Sequence, residues 1–114
     1  MKKTIILLIL MISAVVANAA TYRVKYDVLN QQTTSFTVQV NSDRLVIGNN
    51  AFSLRRMGTI TNSGLTFNSY AYGSREGMFC VSTTSITVEK NMFTRYTGYI
   101  IMIDNKAYLA DKII

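Results

Sequence analysis

Through most of this chain apolar and polar side chains alternate, and that period of two constrains its fold more than any other feature. In residues 21–29, Tyr22, Val24, Tyr26 and Val28 fall on one face, and Arg23, Lys25 and Asp27 on the other. An extended backbone sends successive side chains to opposite faces of a sheet, so this stretch reads as a half-buried strand with its tyrosine and valine face toward the core. Residues 34–41 repeat the pattern, with Phe36, Val38 and Val40 against Thr37 and Gln39. No stretch after the first twenty residues has the 3.6-residue period and caps of a helix, and the chain has no proline.

Turn residues punctuate the alternation. Residues 30–32 and 42–43 are polar breaks, and Gly48-Asn49-Asn50 supplies residues that tolerate positive φ between a strand over 44–47 and one over 51–56. Residues 57–61 read as a short strand or a connection before the turn Asn62-Ser63-Gly64. Leu65 and Phe67 are in phase with each other but out of phase with Tyr70 and Tyr72, which predicts a β-bulge near Asn68-Ser69. A glycine-flanked loop, 73–77, precedes strands over 78–83 and 85–90, and Asn91 turns the chain. Residues 93–103 form the longest apolar segment outside the leader. Its centre, Tyr99 to Ile103, is apolar on both faces and predicts a strand covered on both sides. Asp104-Asn105 is a two-residue hairpin signal, and residues 106–110 close the series, with either Tyr108 and Ala110 or Ala107 and Leu109 inward. Strands at this spacing predict an all-β fold: a single small antiparallel β-sandwich or barrel-like domain of about 7–9 short strands over residues 20–114.

The first nineteen residues have a different grammar. Lys2 and Lys3 precede an apolar run, Ile5 to Ile12, which ends in Ala17-Asn18-Ala19-Ala20. A positive start, an apolar middle and a small-x-small end read as a bacterial signal peptide over residues 1–19, cut after Ala19 or Ala20. The apolar stretch is shorter than the roughly 20 residues of a membrane-spanning helix, so no transmembrane segment is expected after cleavage. The expected location is the periplasm or the extracellular space. Lys2 and Lys3 contribute two of the six net positive charges, so removal of the leader leaves +4 on one domain of about 94 residues.

Catalytic sets fail on inventory. There is no histidine, which removes Ser-His-Asp and Cys-His pairs, and one cysteine, Cys80, cannot build a metal cage or an intramolecular disulfide. The six acidic residues fall mostly in turns or on outward faces. No enzyme activity, cofactor or metal site is expected. The seven tyrosines and the excess of basic side chains point instead to an interaction surface, because tyrosine offers both area and a hydroxyl. Tyr70, Tyr72, Arg75, Arg95 and Tyr96 are the candidate binding residues, with Tyr70 and Tyr72 beside the 73–77 loop. Arg55 and Arg56, adjacent in a strand, point to opposite faces and make no joint patch. Export argues against nucleic acid and favours a protein or an anionic envelope polymer as partner.

The run Leu45 to Arg56, followed by Ser63-Gly64, resembles the central hairpin of the small periplasmic inhibitors of C-type lysozyme, in which such a hairpin precedes a Ser-Gly-containing inhibitory loop. The resemblance covers under a quarter of the chain. The cysteine pairs and tryptophan usual in that family are missing, and a basic chain would repel basic lysozyme. The sequence thus predicts an exported, non-catalytic binding protein. The alternatives are an inhibitor of a cell-wall-degrading enzyme, and a subunit of a surface assembly formed by edge-strand pairing, for which Ile113-Ile114 and the unpaired Cys80 argue. An oligomer is compatible with each.

Overall fold

A computed structural model describes residues 19–89 and 91–113. All but the last residue of the expected leader, together with Lys90 and Ile114, lies outside the described residues. Those described form nine strands: β1 (Ala20–Asp27), β2 (Gln32–Val40), β3 (Arg44–Ile47), β4 (Asn50–Asn62), β5 (Leu65–Tyr72), β6 (Gly77–Ser82), β7 (Ile86–Glu89), β8 (Arg95–Ile103) and β9 (Lys106–Lys112). Every pairing is antiparallel. Successive strands from β1 to β6 are neighbours. β6 then pairs with β8, β8 with β9, and β9 with β1, so eight strands close into a barrel. The fold is all-β, and of the two architectures expected from the alternation it is the barrel.

The ninth strand extends the line of β6. On one edge of β8, β6 pairs with Ile101 to Ile103 and β7 with Arg95 to Gly98. Ser82 bridges the interruption. Its Oγ donates to the Thr84 carbonyl at 2.8 Å and accepts from the Ile100 N–H at 2.9 Å. A side-chain hydroxyl thereby takes the place of the missing ladder partner at a position only 3% exposed. Below Tyr99, β8 leaves β9, and β7 with the first residues of β8 forms a two-stranded arm. Gly98 stands where the strands part: a Cβ there would collide with the Ala110 carbonyl oxygen.

Along β1, β5, β6, β8 and β9 the barrel wall is covered on both faces. One buried cluster contains Tyr22, Val24, Val38, Leu45, Leu54, Phe79, Val81, Ile101 and Ala110, drawn from all around the barrel, and fills its interior. The other contains Tyr26, Phe67, Cys80, Ile100 and Leu109. Neighbours in sequence divide between them (Phe79 and Val81 against Cys80, Ile101 against Ile100, Ala110 against Leu109), so the second cluster lies on the outer face of the same strands. Ile86, Val88 and Tyr96 of the arm pack against it, and Tyr96 stacks on Tyr26 with ring centroids 4.4 Å apart. Both alternatives for β9 therefore hold: Leu109 and Ala110 are each fully buried, on opposite faces. Burial on both sides of Ile100 and Ile101 agrees with the apolar run that predicted it.

The structure corrects three expectations, the first two through this two-faced core. β5 pairs with β6 without interruption, so there is no bulge at Asn68-Ser69. Phe67 simply belongs to the outer cluster, and Tyr70 and Tyr72 to the interior. The irregularity sits in the partner strand, at Met57 of β4, which runs on through the stretch read as a possible connection. Tyr22 and Tyr26 are both buried, but an irregularity between Val24 and Tyr26 places them on opposite faces. Phe93, expected to begin an apolar strand, is 92% exposed at the tip of the arm, where Asn91 Oδ1 accepts from the Phe93 and Thr94 N–H groups at 2.8 Å each.

Candidate functional site

The up-and-down order of the strands gathers the β1–β2, β3–β4, β5–β6 and β8–β9 turns at one end of the barrel, here the upper mouth. The start of β1, the end of β9, the β2–β3 turn and the β4–β5 hairpin lie at the other, the lower mouth. Interior residues of β4 and β5 form the floor of the upper mouth: Phe52 and Tyr72 meet edge to face with centroids 5.3 Å apart. Above them is a hollow of about 510 Å³ lined by Phe52, Tyr72, Arg75, Met78 and Asp104 with the backbone of the 73–77 loop.

Local chemistry holds this loop in place. The Asp104 carboxylate accepts from the Tyr72 hydroxyl at 2.6 Å through Oδ2, and from the Met78 N–H at 3.0 Å through Oδ1. The Asp104 N–H donates to the Met78 carbonyl at 2.8 Å, so the β5–β6 and β8–β9 turns are tied by three hydrogen bonds. Gly77 makes room for the arrangement, since a Cβ there would stand 2.7 Å from the Tyr72 ring. The Tyr72 hydroxyl is pushed up to about 12, first by burial, then by its bond to Asp104 and that carboxylate's charge. It remains a neutral donor at any physiological pH. Glu76 is paired with Arg55 at 2.9 Å, both side chains largely in solvent. Arg75 is exposed and has no ion-pair partner among the described residues.

The mouth thus offers aromatic edges, the Met78 thioether at 42% exposure and one free guanidinium. Its carboxylates are both engaged. Such a set suits non-covalent recognition of a group with an apolar body and an anionic or acceptor rim. Among the described residues no three His, Cys, Asp or Glu side chains come close enough to hold a metal ion.

The five residues singled out from the sequence fall in three places. Tyr72 and Arg75 line the upper hollow. Tyr70 is half-buried inside the barrel, tilted against Phe79 at 5.8 Å, and reaches the lower mouth. Tyr96 stacks on Tyr26 in the outer cluster, and Arg95 sits on the arm, paired with Glu89 at 3.3 Å. Sequence reasoning missed Phe52, Met78 and Asp104. Phe52 read as plain core and Asp104 as turn chemistry, and only barrel closure brings the two turns together. Arg55 and Arg56 do diverge, Arg55 toward Glu76 and Arg56 toward the lower mouth. Cys80 is fully buried, its Sγ 3.8 Å from the Ser69 hydroxyl; the Ile113 N–H donates to the Thr21 carbonyl while its side chain stays exposed, and Ile114 lies outside the described residues. No family model matches this sequence, and no curated protein or solved structure matches it either.

Proposed function

We propose that this chain is an exported, non-catalytic binding protein of the bacterial envelope that holds its partner at the upper mouth of the barrel. The observation that carries the reading is the hollow itself. Aromatic and thioether surface is open to solvent beside Arg75, a cation with no ion-pair partner among the described residues, on a loop fixed by Asp104. Recognition is favoured when such groups are preorganised, because little ordering entropy is then lost on binding. A protein loop or an anionic envelope polymer matches this surface. The test is capture from an envelope extract with the chain spanning 20–114, comparing wild type with Arg75→Glu/Met78→Glu and with Arg44→Glu as a distant control. Loss of a specific band only in the double variant is the expected outcome; equal capture by all three rejects the mouth as the binding surface.

A second reading, inhibition of a wall-degrading enzyme, draws on the β4–β5 hairpin. Its exposed tip is Ser63-Gly64, with φ of 54° and 79°, the pair a two-residue turn with positive φ at both positions requires. Incubation with a panel of lysozymes tests it, and undiminished activity throughout discards it.

A further inference from the structure

The lower mouth contains a second hollow, of about 310 Å³, and its lining is unlike the first. Arg56, Asn68, Tyr70, Tyr22 and Lys112 surround it. Strand register explains how they meet. Arg56 is the cross-strand partner of Tyr70, and Lys112 that of Tyr22, so each cation shares the inner face with a tyrosine. Asn68 lies two residues before Tyr70 on the same face, and its Oδ1 accepts from Arg56 Nη2 at 3.2 Å. Among the described residues no carboxylate lines the hollow, and neither Arg56 nor Lys112 has an acidic partner.

The tyrosines add unused donors. Tyr22 is only 7% exposed, and neither its hydroxyl nor that of Tyr70 has a protein hydrogen-bond partner among the described residues. Among the described residues no buried side-chain oxygen lacks a partner, so the Tyr22 oxygen keeps solvent access, and Tyr22 lines the hollow. Burial, and then the neighbouring Tyr70 and Tyr99, push the Tyr22 hydroxyl up to about 12, which keeps it a donor. Two cations, two hydroxyl donors and no competing carboxylate are what a multiply charged oxyanion needs in a partly enclosed site. A water molecule's share of liquid volume is about 30 Å³, so the hollow has room for the anion and part of whatever carries it. Ala20 also lines it, so removal of residues 1–19 would set a new α-ammonium group at its rim.

We propose that the lower mouth is a binding site for a phosphate or sulfate group, borne by a small molecule or by a lipid headgroup. The site is independent of the upper mouth, so Arg75→Glu leaves it intact. Calorimetric titration of the chain spanning 20–114 with inorganic phosphate and with glycerol 3-phosphate tests it. Saturable binding is expected, weakened at least tenfold in Arg56→Gln/Lys112→Gln and severalfold in Tyr70→Phe, with Lys106→Gln within twofold of wild type. All these side chains except Tyr70 are exposed, and unchanged circular dichroism confirms the fold. Co-sedimentation with vesicles containing phosphatidylglycerol, against vesicles of phosphatidylcholine alone, separates the sources. Binding only to the former, displaced by glycerol 3-phosphate, assigns a lipid headgroup; titration without co-sedimentation assigns a small molecule. No saturable binding of either phosphate, or an equal loss in Lys106→Gln, overturns the proposal.

Discussion

Replacing Ser82 by alanine probes how the barrel is closed. The Ser82 hydroxyl accepts from the Ile100 N–H at 2.9 Å and donates to the Thr84 carbonyl at 2.8 Å, and the residue is 3% exposed. Alanine keeps the strand and its packing but strips the Ile100 N–H of its acceptor in a site that water does not reach. An orphaned buried donor costs about 1–3 kcal/mol, and loss of an ordinary hydrogen bond about 0.5–1.5 kcal/mol. Because the Thr84 carbonyl lies in an exposed bend where solvent can replace the hydroxyl, the lower part of the second range applies, and the sum is about 2–3 kcal/mol. For a domain of this size that lowers the melting temperature by roughly 8–24 °C. Urea unfolding followed by circular dichroism gives the free energy, and hydrogen exchange at the Ile100 amide gives the local effect. Ser69→Ala, whose hydroxyl makes only the long contact with Cys80, is the control. A Ser82→Ala protein within 0.5 kcal/mol of wild type, with Ile100 as protected as before, would refute the bridging role.

Leu109→Ala should destabilise by about 2–5 kcal/mol in urea melts, because Leu109 is fully buried on the outer face; a surface-like loss below 0.5 kcal/mol would mean the arm does not cover it. Tyr22 and Tyr72 are both raised to about 12 in the folded state, above the ordinary 10. Folding therefore favours their protonated forms, and this contribution is complete below pH 10 and lost as pH rises toward 12. Stability measured across that window should fall, less steeply in Tyr72→Phe; identical slopes would remove Tyr72 from the account. The Cys80 thiol, fully buried, should react with a thiol reagent at least a hundredfold faster in urea than in buffer, and the native protein should run as a monomer with and without reductant.

The strands were legible in the sequence because each carries its own alternation and its own turn residues, down to the bounds of β3. What was not legible is which face each apolar residue serves. A phase change such as that between Phe67 and Tyr70 has two physical causes, a bulge that restores one face or a straight strand buried on both, and the local pattern is the same for each. The choice depends on whether a distant element covers the outer face, here the β7–β8 arm. The candidate site suffered for a similar reason. Tyr72 borders the glycine-bounded loop and Arg75 lies in it, so the two are near in sequence, whereas Asp104 is 32 residues from Tyr72 and joins it only through the β6–β8 pairing. Tyr70, two residues from Tyr72, was assigned to the same edge, although the barrel sends it toward the opposite end.

The pairing of β1 with β9 also governs the order in which the protein can be completed. Strands β1 to β6 meet as successive hairpins, each able to form from a short piece of chain. The seam between Tyr22 and Lys112 joins segments 90 residues apart and waits for the final strand. Until then β1 and β8 each present an unpaired row of backbone groups, and the outer cluster lacks Leu109. Loop-closure entropy opposes so distant a contact only logarithmically, so the delay is set by when β9 becomes available more than by the search itself. A chain that stops at Asn105 would carry two sticky edges in place of one seam, and would enter aggregates or be degraded before it could function.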